Sequence, residues 1–395
     1  MRRFGNCSIT VLILFYLVII ISCTGGKGFG VSQDEAIEDD KTEEMFFSID
    51  SLYFKLDSVT VNIIHYCQFL SDYKGKSCIS FLNENTNSIY FYDIQTKALL
   101  DIIDLREYGI RIPVQGYLYL ENKVYVYTYS DASLTCINLD TGQIRFTYAM
   151  YNNNFDRRNP FFMPKPFPLT CLPIKSLGDT IILSGLVAGE SPLENGTNRP
   201  VITLFDTMTK QVSNLVNYPP VYQKANWGGS LFFRSAFYDT NEKNDIVVSF
   251  PASDEIVVYS IREGSYHHHY AGSSSIKRIQ PFSMKRNKLG DSNRLFEWYL
   301  NTPSYENLLY DEYRHCYYRF AKMPQTIAYN SKIGTQKPTR VIILDDSYSY
   351  IGEFSLPNNL IFVTSNAFVS RDGIYIQKKE QNEDLISFYL IRPFY

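Results

Sequence analysis

A strand–turn–strand unit, written five times along the chain, constrains the fold more than any other feature. It reads SIYFYDIQTKALLDIIDL at 88–105, SLTCINLDTGQIRFTYAM at 133–150 and VITLFDTMTKQVSNLV at 201–216. It returns as EIVVYSIREGSYHHHY at 255–270 and RVIILDDSYSYIGEFSL at 340–356. In each copy a β-branched and aromatic run meets a polar corner and a second apolar run follows, which is how a hairpin is written. The first run ends in Asp93, Asp140, Asp206 and Asp345, with Ile261 at that place in the fourth copy. A carboxylate there can accept backbone N–H groups in an Asx-type turn, and Gly142 or Gly264 supplies the flexible corner.

Successive landmarks fall 47, 66, 55 and 84 residues apart, the span of one four-stranded sheet with loops of varying length. YLYLENKVYVYTYS ahead of the second copy and DTIILSGLV ahead of the third supply the missing strands. Four-stranded sheets at this period predict an all-β chain folded as a β-propeller. The C-terminal GIYIQKK and DLISFYLIR make a sixth unit short of its outer strand, while SLYFKLD at 51–57 is a strand with no hairpin of its own. The expectation is a six-bladed ring whose last blade is completed by that N-terminal strand, which removes an open edge. Seven blades is the alternative, because the last interval is long. No convincing amphipathic helix appears from Met45 onward.

Composition agrees with strands. The 32 tyrosines and 27 phenylalanines, 15% aromatic with the two tryptophans, suit a pleated surface. Most of these tyrosines are expected in cross-strand packing and a minority on a surface that could stack on sugars.

The N-terminus speaks to compartment. Arg2 and Arg3 precede a 13-residue apolar run at 9–21, shorter than the roughly 20 residues that span a bilayer. Its length fits a signal peptide. Ile20-Ile21-Ser22-Cys23 resembles the lipobox of bacterial lipoproteins, in which the cysteine thiol takes a diacylglycerol, the chain is cut before it and the new amine is acylated. The division expected is therefore a signal peptide at 1–22, a Gly-rich then acidic tether at 23–44 starting at lipidated Cys23, and a propeller domain at 45–395. Thr24 in place of an aspartate favours the outer membrane, with its periplasmic and surface faces both open. Loss of Arg2 and Arg3 with residues 1–22 takes the formal charge from −3 to −5, which gives no case for nucleic acid as a partner.

The lipobox, the mature length and NENTNSIYFYDIQTKALL at 83–100 together resemble the six-bladed-propeller lipoproteins of Bacteroides-type bacteria that carry a domain of unknown function. The resemblance implies the fold and an envelope location, and it brings no catalytic residue with it.

Ligands of propellers usually meet the face formed by the connections between blades, or the mouth of the central channel. The candidate loops are 106–116, 151–168, 217–230 and 271–292. Their candidate ligand-binding residues are Arg111, Arg157, Arg158, Tyr222, Trp227, Arg278 and Arg286, which would hold an anionic or sugar ligand by arginine forks and aromatic stacking. The competing reading is that such loops are charged because they are solvated, with aromatics pinning them to the blade below. In His267-His268-His269 only the outer two share a strand face, and no further ligands are placed to hold a metal. His65 and His315 read as strand residues, and Asp239, Glu242, Asp345 and Asp346 as turn caps. Cys67 and Cys78 could face each other across a hairpin, although buried free thiols are the better default. No GxSxG elbow, HExxH, strand-linked GxGxxG or EF-hand loop is present, and no cofactor is expected. The leading reading is a lipid-anchored binding module for a protein or glycan partner. An envelope enzyme acting on polysaccharide, with its site on the loop face or in the channel, is the alternative, and a structural subunit of an outer-membrane complex is the third.

Overall fold

The computed structural model describes residues 47–150, 164–186, 199–228, 231–283, 292–325 and 336–393. The segments read as signal peptide and tether, with Cys23 between them, lie outside the described residues. Six antiparallel sheets follow one another around a ring. Blade 1 is β2 (Cys67–Tyr73), β3 (Lys76–Asn83), β4 (Ser88–Asp93) and β5 (Leu99–Asp104), from the channel outward. Blade 2 is β6 (Val114–Leu120), β7 (Lys123–Thr128), β8 (Ser133–Asn138) and β9 (Gln143–Ala149). In blade 3 two short pieces, β10 (Lys165–Pro166) and β11 (Lys175–Leu177), replace the inner strand and pair with β12 (Thr180–Leu186), ahead of β13 (Pro200–Asp206) and β14 (Val212–Asn217). Blade 4 is β15 (Phe237–Thr240), β16 (Asp245–Ser249), β17 (Glu255–Ser260) and β18 (Ser265–Tyr270). Blade 5 is β19 (Ser304–Asp311), β20 (Cys316–Lys322), β21 (Thr339–Asp345) and β22 (Tyr350–Ser355). Blade 6 is β23 (Phe362–Ser370), β24 (Gly373–Lys378) and β25 (Leu385–Pro393), closed on the outside by β1 (Phe47–Lys55).

The ring thus has six blades, and the isolated N-terminal strand closes it as expected. β1 pairs with β25 over nine residues, from Phe47↔Pro393 to Lys55↔Leu385. Because β25 runs toward the same end of the ring as the inner-hairpin turns, β1 enters there. We call that end the lower rim, and the end carrying the blade-to-blade connections the upper rim.

All five repeated hairpins are the outer two strands of a blade. Their Asx turns form as expected in three: Asp93 accepts from the N–H groups of Gln95 and Thr96, Asp206 from Met208 and Thr209, and Asp345 from Ser347 and Ser349. In blade 2 the strand ends earlier and Asn138, not Asp140, accepts the Thr141 N–H at 3.0 Å. The corner residue has positive φ in each case: Lys97, Gly142, Lys210, Gly264 and Tyr348.

Apolar burial lies between blades. One cluster joins blades 1 to 3, and others join 3 with 4, 4 with 5, 5 with 6, and 6 with 1. Tyrosines carry much of it, with Tyr66, Tyr73, Tyr92, Tyr117, Tyr127, Tyr222, Tyr238, Tyr305, Tyr317 and Tyr318 all at most 2% exposed. The five cysteines from Cys67 on are free and buried. Cys78 faces Leu70, while Cys67 faces Phe81, so no bridge forms between them.

Blades 4 and 5 are tied by Arg319 of β20, which is 0% exposed. Its guanidinium donates to Ser249 Oγ and to the carbonyls of Phe250, Ser253, Asp254 and Ala271, and lies 3.8 Å over the Tyr305 ring. Asp239 is not a turn cap. It sits buried on β15, pairing with Lys175 of blade 3 at 2.7 Å and accepting the Tyr310 N–H of blade 5 at 2.9 Å.

Among the described residues, one helix longer than a single turn departs from the all-strand expectation. α1 (Ser292–Asn301) lies in the connection from blade 4 to blade 5, where Leu295, Phe296, Trp298 and Tyr299 form a half-buried apolar stripe at i, i+3, i+4 spacing. The stripe is short and most of its residues are aromatic, so it reads as strand in sequence.

Candidate functional site

Prolines shape the channel. Residues 164–173 carry Pro164, Pro166, Pro168 and Pro173, and a proline cannot donate to a sheet ladder. Blade 3 therefore keeps inner-strand pairing only at Lys165–Pro166 and Lys175–Leu177, and the chain between them turns into the channel. Leu169 and Leu172 bridge each other across this turn. Thr170 N–H donates to His65 O at 3.0 Å, its hydroxyl accepts the Cys67 N–H at 2.9 Å, and Ile174 N–H donates to Tyr66 Oη at 2.8 Å. A Cβ on Gly116 would stand 2.5 Å from the Pro168 Cβ, so this plug seats against a glycine of blade 2.

The plug parts the channel into two cavities. The lower, about 400 Å³, is walled by Tyr66, Asp239, Asn241, Tyr310 and Phe368. The upper, about 590 Å³, opens among the blade-to-blade connections and has Phe167, Leu169 and Cys171 as its floor. Its volume lies in the range of small-molecule sites.

Two adjacent bulges furnish the upper cavity with polar groups. β19 slips register between Tyr305 and Leu308, and β23 slips between Val363 and Ala367. A bulge re-aims side chains that regular pleating would send into the sheet. Here it brings Glu306, Asn307, Thr364, Ser365 and Asn366 to the cavity wall. Lys322 at the end of β20 approaches Glu306 at 3.8 Å and donates to Thr339 Oγ1 at 3.0 Å. Lys337 donates to the carbonyls of Tyr299, at 3.0 Å, and Thr302, at the C-terminal end of α1, and lies 4.4 Å over the Tyr299 ring. Tyr299 Oη in turn donates to Glu306 at 3.2 Å.

Burial pushes the Lys337 ammonium down to about 7, against the pull of Glu306 and with the repulsion of Lys322. Burial also lowers the Lys322 ammonium, opposed by Glu306. Glu380, at the rim, is raised by burial but held below its ordinary range by hydrogen bonds from Ser387 and Lys378. Among the described residues, no group of three or more His, Cys, Asp and Glu side chains is arranged to hold a metal ion.

The Lys337 shift has a measurable consequence. Its folded pKa, about 7, lies below the ordinary lysine value, so between pH 7 and 10 the unfolded chain binds a proton that the folded chain does not. That group therefore makes the protein more stable as pH rises through this window, and its penalty is complete below it. The stability of Lys337→Met relative to wild type, measured by urea denaturation, is expected to fall by up to about 1.4 kcal/mol per pH unit from pH 7 to 10. A difference independent of pH would show that the ammonium is not desolvated.

The residues singled out in sequence fall elsewhere. Tyr222 and Trp227 are each 2% exposed, in the core between blades 3 and 4, so neither ring offers a face to a ligand. Tyr222 Oη accepts the Ala252 N–H, and Trp227 Nε1 donates to Val221 O. The aromatics of this loop pin it to the blade below. Arg111 and Arg278 are exposed on upper-rim connections and line neither cavity. Arg157, Arg158 and Arg286 lie outside the described residues. His267, His268 and His269 sit on outer strand β18, with His269 against the Tyr348 ring at 4.6 Å. His65 lies in the connection before β2 and His315 in the β19–β20 turn, so neither is a strand residue.

Sequence reading pointed to the rim at which the upper cavity opens, but not to these side chains. A signal existed in SYENLLYD (304–311), where two polar residues interrupt a strand, and in Lys322 and Lys337 beside apolar runs.

Comparison with known proteins agrees with this architecture. No curated protein matches the chain. A protein of the DUF4221 family from Bacteroides vulgatus ATCC 8482 superposes with a TM-score of 0.74 at 21% identity, covering 90% of this chain and 99% of its own. A protein from Bacteroides fragilis NCTC 9343, whose name marks it as a candidate exported protein, superposes with a TM-score of 0.56 at 10% identity, over 90% of this chain and 98% of its own. The family model described as a domain of unknown function, DUF4221, matches residues 43–355, most of the propeller, and the chain belongs to that family.

Proposed function

We propose that the protein is a binding module of the cell envelope, lipid-anchored at Cys23, that takes a ligand at its upper rim. The carrying observation is topological. β1 enters the ring at the lower rim, whereas the larger cavity opens at the upper rim. A chain anchored ahead of Phe47 thus leads away from the membrane toward the open cavity. The composition of residues 24–44, Gly-rich then acidic, suits a solvated tether for such an arrangement. The similar Bacteroides fragilis protein, with its name pointing to export, supports a location beyond the cytoplasm. An outer-membrane position follows from Thr24 after the lipidated cysteine.

Metabolic labelling with an alkynyl palmitate should mark the wild-type chain in the outer-membrane fraction and leave Cys23→Ser unlabelled. Equal labelling of both would remove the anchor. The chain from residue 23 carrying Cys23→Ser, immobilised through its C-terminus, should retain a glycan or a protein in an array and pull-down screen. Retention of neither class would remove the binding role.

A further inference from the structure

The upper cavity keeps apolar surface open to water. Ile63 and Ile361 at its mouth are 47% and 37% exposed, and Phe167, Leu169, Leu186 and Val363 in its floor and walls are half-buried. Covering such side chains is favourable by about 25 cal/mol per Å², and a cavity that leaves them open has a use for an apolar ligand. Hydrogen bonds fix the mouth. Asn62 Nδ2 donates to the carbonyls of Glu380, at 3.4 Å, and Asn382, at 3.2 Å, while the Lys379 N–H donates to Ile361 O at 3.3 Å. Ile63, Ile361, Lys378 and Lys379 therefore border the same opening, two branched apolar side chains beside two cations.

Charge gives the sign of the ligand. Lys322, Lys337, Lys378 and Lys379 line the cavity against Glu306 and Glu380, four amines and two carboxylates. Each carboxylate already has a lysine, Lys322 at 3.8 Å from Glu306 and Lys378 at 3.1 Å from Glu380. The surplus is two positive charges, or one when Lys337 is neutral, so its sign does not depend on that proton. Apolar walls of low dielectric focus such a field on the space they enclose. A cation would add to the surplus, and a small anion would leave the apolar walls uncovered. We infer that the upper cavity holds a fatty acid, its hydrocarbon chain over the plug and its carboxylate at the mouth beside Lys378 and Lys379. This ligand is distinct from the glycan or protein partner proposed above, and its absence would leave that role standing.

The test is isothermal titration calorimetry on the chain from residue 23 carrying Cys23→Ser. Acetate, octanoate and dodecanoate are titrated below micelle-forming concentrations, with dodecyltrimethylammonium as the cationic control. Dodecanoate should bind one to one, octanoate more weakly by up to about fourfold per CH₂ removed, and acetate not at all. The cationic chain should bind at least about tenfold more weakly than dodecanoate. Ile63→Asp, which puts a carboxylate at the mouth, should weaken dodecanoate by about tenfold, and Lys379→Glu by about fivefold. Both side chains are exposed, so the melting temperature should hold. Ile144→Asp, at a 46% exposed site on outer strand β9, should leave binding unchanged. Equal binding of the cationic chain, or dodecanoate binding undiminished by either Ile63→Asp or Lys379→Glu, would overturn the inference. Absence of binding by every chain would overturn it as well, and a glycan or protein still retained in that case would keep the binding role.

Discussion

Replacing Arg319 with alanine is expected to destabilise the protein by about 5 kcal/mol or more and to lower its melting temperature by about 10 °C. The guanidinium is wholly buried, and its five hydrogen bonds go to one hydroxyl and four backbone carbonyls. Burial brings its pKa down to about 10, so it stays charged at neutral pH. Removing it strands four carbonyls away from water and opens a cavity under the Tyr305 ring, at the junction of blades 4 and 5. Arg319→Lys should recover only a small part of the loss, because a single ammonium cannot reach partners arranged for a planar fork. Arg278→Ala, on the exposed upper-rim loop, should stay within about 0.5 kcal/mol of wild type. Urea denaturation of the three variants measures this, and a midpoint for Arg319→Ala close to that of Arg278→Ala would refute it.

Deleting residues 45–55 should have an effect of similar size through a different mechanism. Without β1, the backbone edge of β25 is open along nine paired positions, and the sites of Leu52, 8% exposed, and Phe54, 1% exposed, are empty. Each of those side chains contributes about 1.5–3 kcal/mol by burial, and an open hydrophobic edge invites pairing with another chain. The truncated chain is expected to elute as aggregate in size-exclusion chromatography and to lose its sharp unfolding transition. A synthetic peptide of residues 45–57 added during refolding should restore the monomer by strand addition. A truncated chain that stays monomeric with an unchanged urea midpoint would mean that the ring does not depend on its closing strand.

Local chemistry explains which features were readable before the fold was known. A hairpin depends on residues that are neighbours in the chain, so all five repeated units, the blade count and the closing strand could be read from the order of residues. The Asx corners at Asp93, Asp206 and Asp345 belong to the same class, and the one miss, Asp140, differs by a shift of two residues to Asn138. Tyr222 and Trp227 were assigned to a ligand face because aromatic residues in a long loop look the same whether they point outward or fold back. Only the packing of Tyr222 and Trp227 into the core between blades 3 and 4 shows that they point inward.

The upper cavity was hidden for the opposite reason. Glu306, Lys322 and Lys337 come from one blade, Asn366 from another and the floor from the plug of a third, so no spacing along the chain ties them together. A bulge at Glu306–Asn307 cannot be told from an ordinary strand until its partner is known, since register is a property of two strands. The prolines of 164–173 are at odds with a regular inner strand in blade 3, but nothing in their spacing says that the segment turns inward and closes the channel. Sequence alone therefore determined the repeat, the ring and its closure, because backbone pairing is written in short-range patterns. Tertiary structure decided where the cavity lies and which charges face it, because those depend on side chains brought together across the ring.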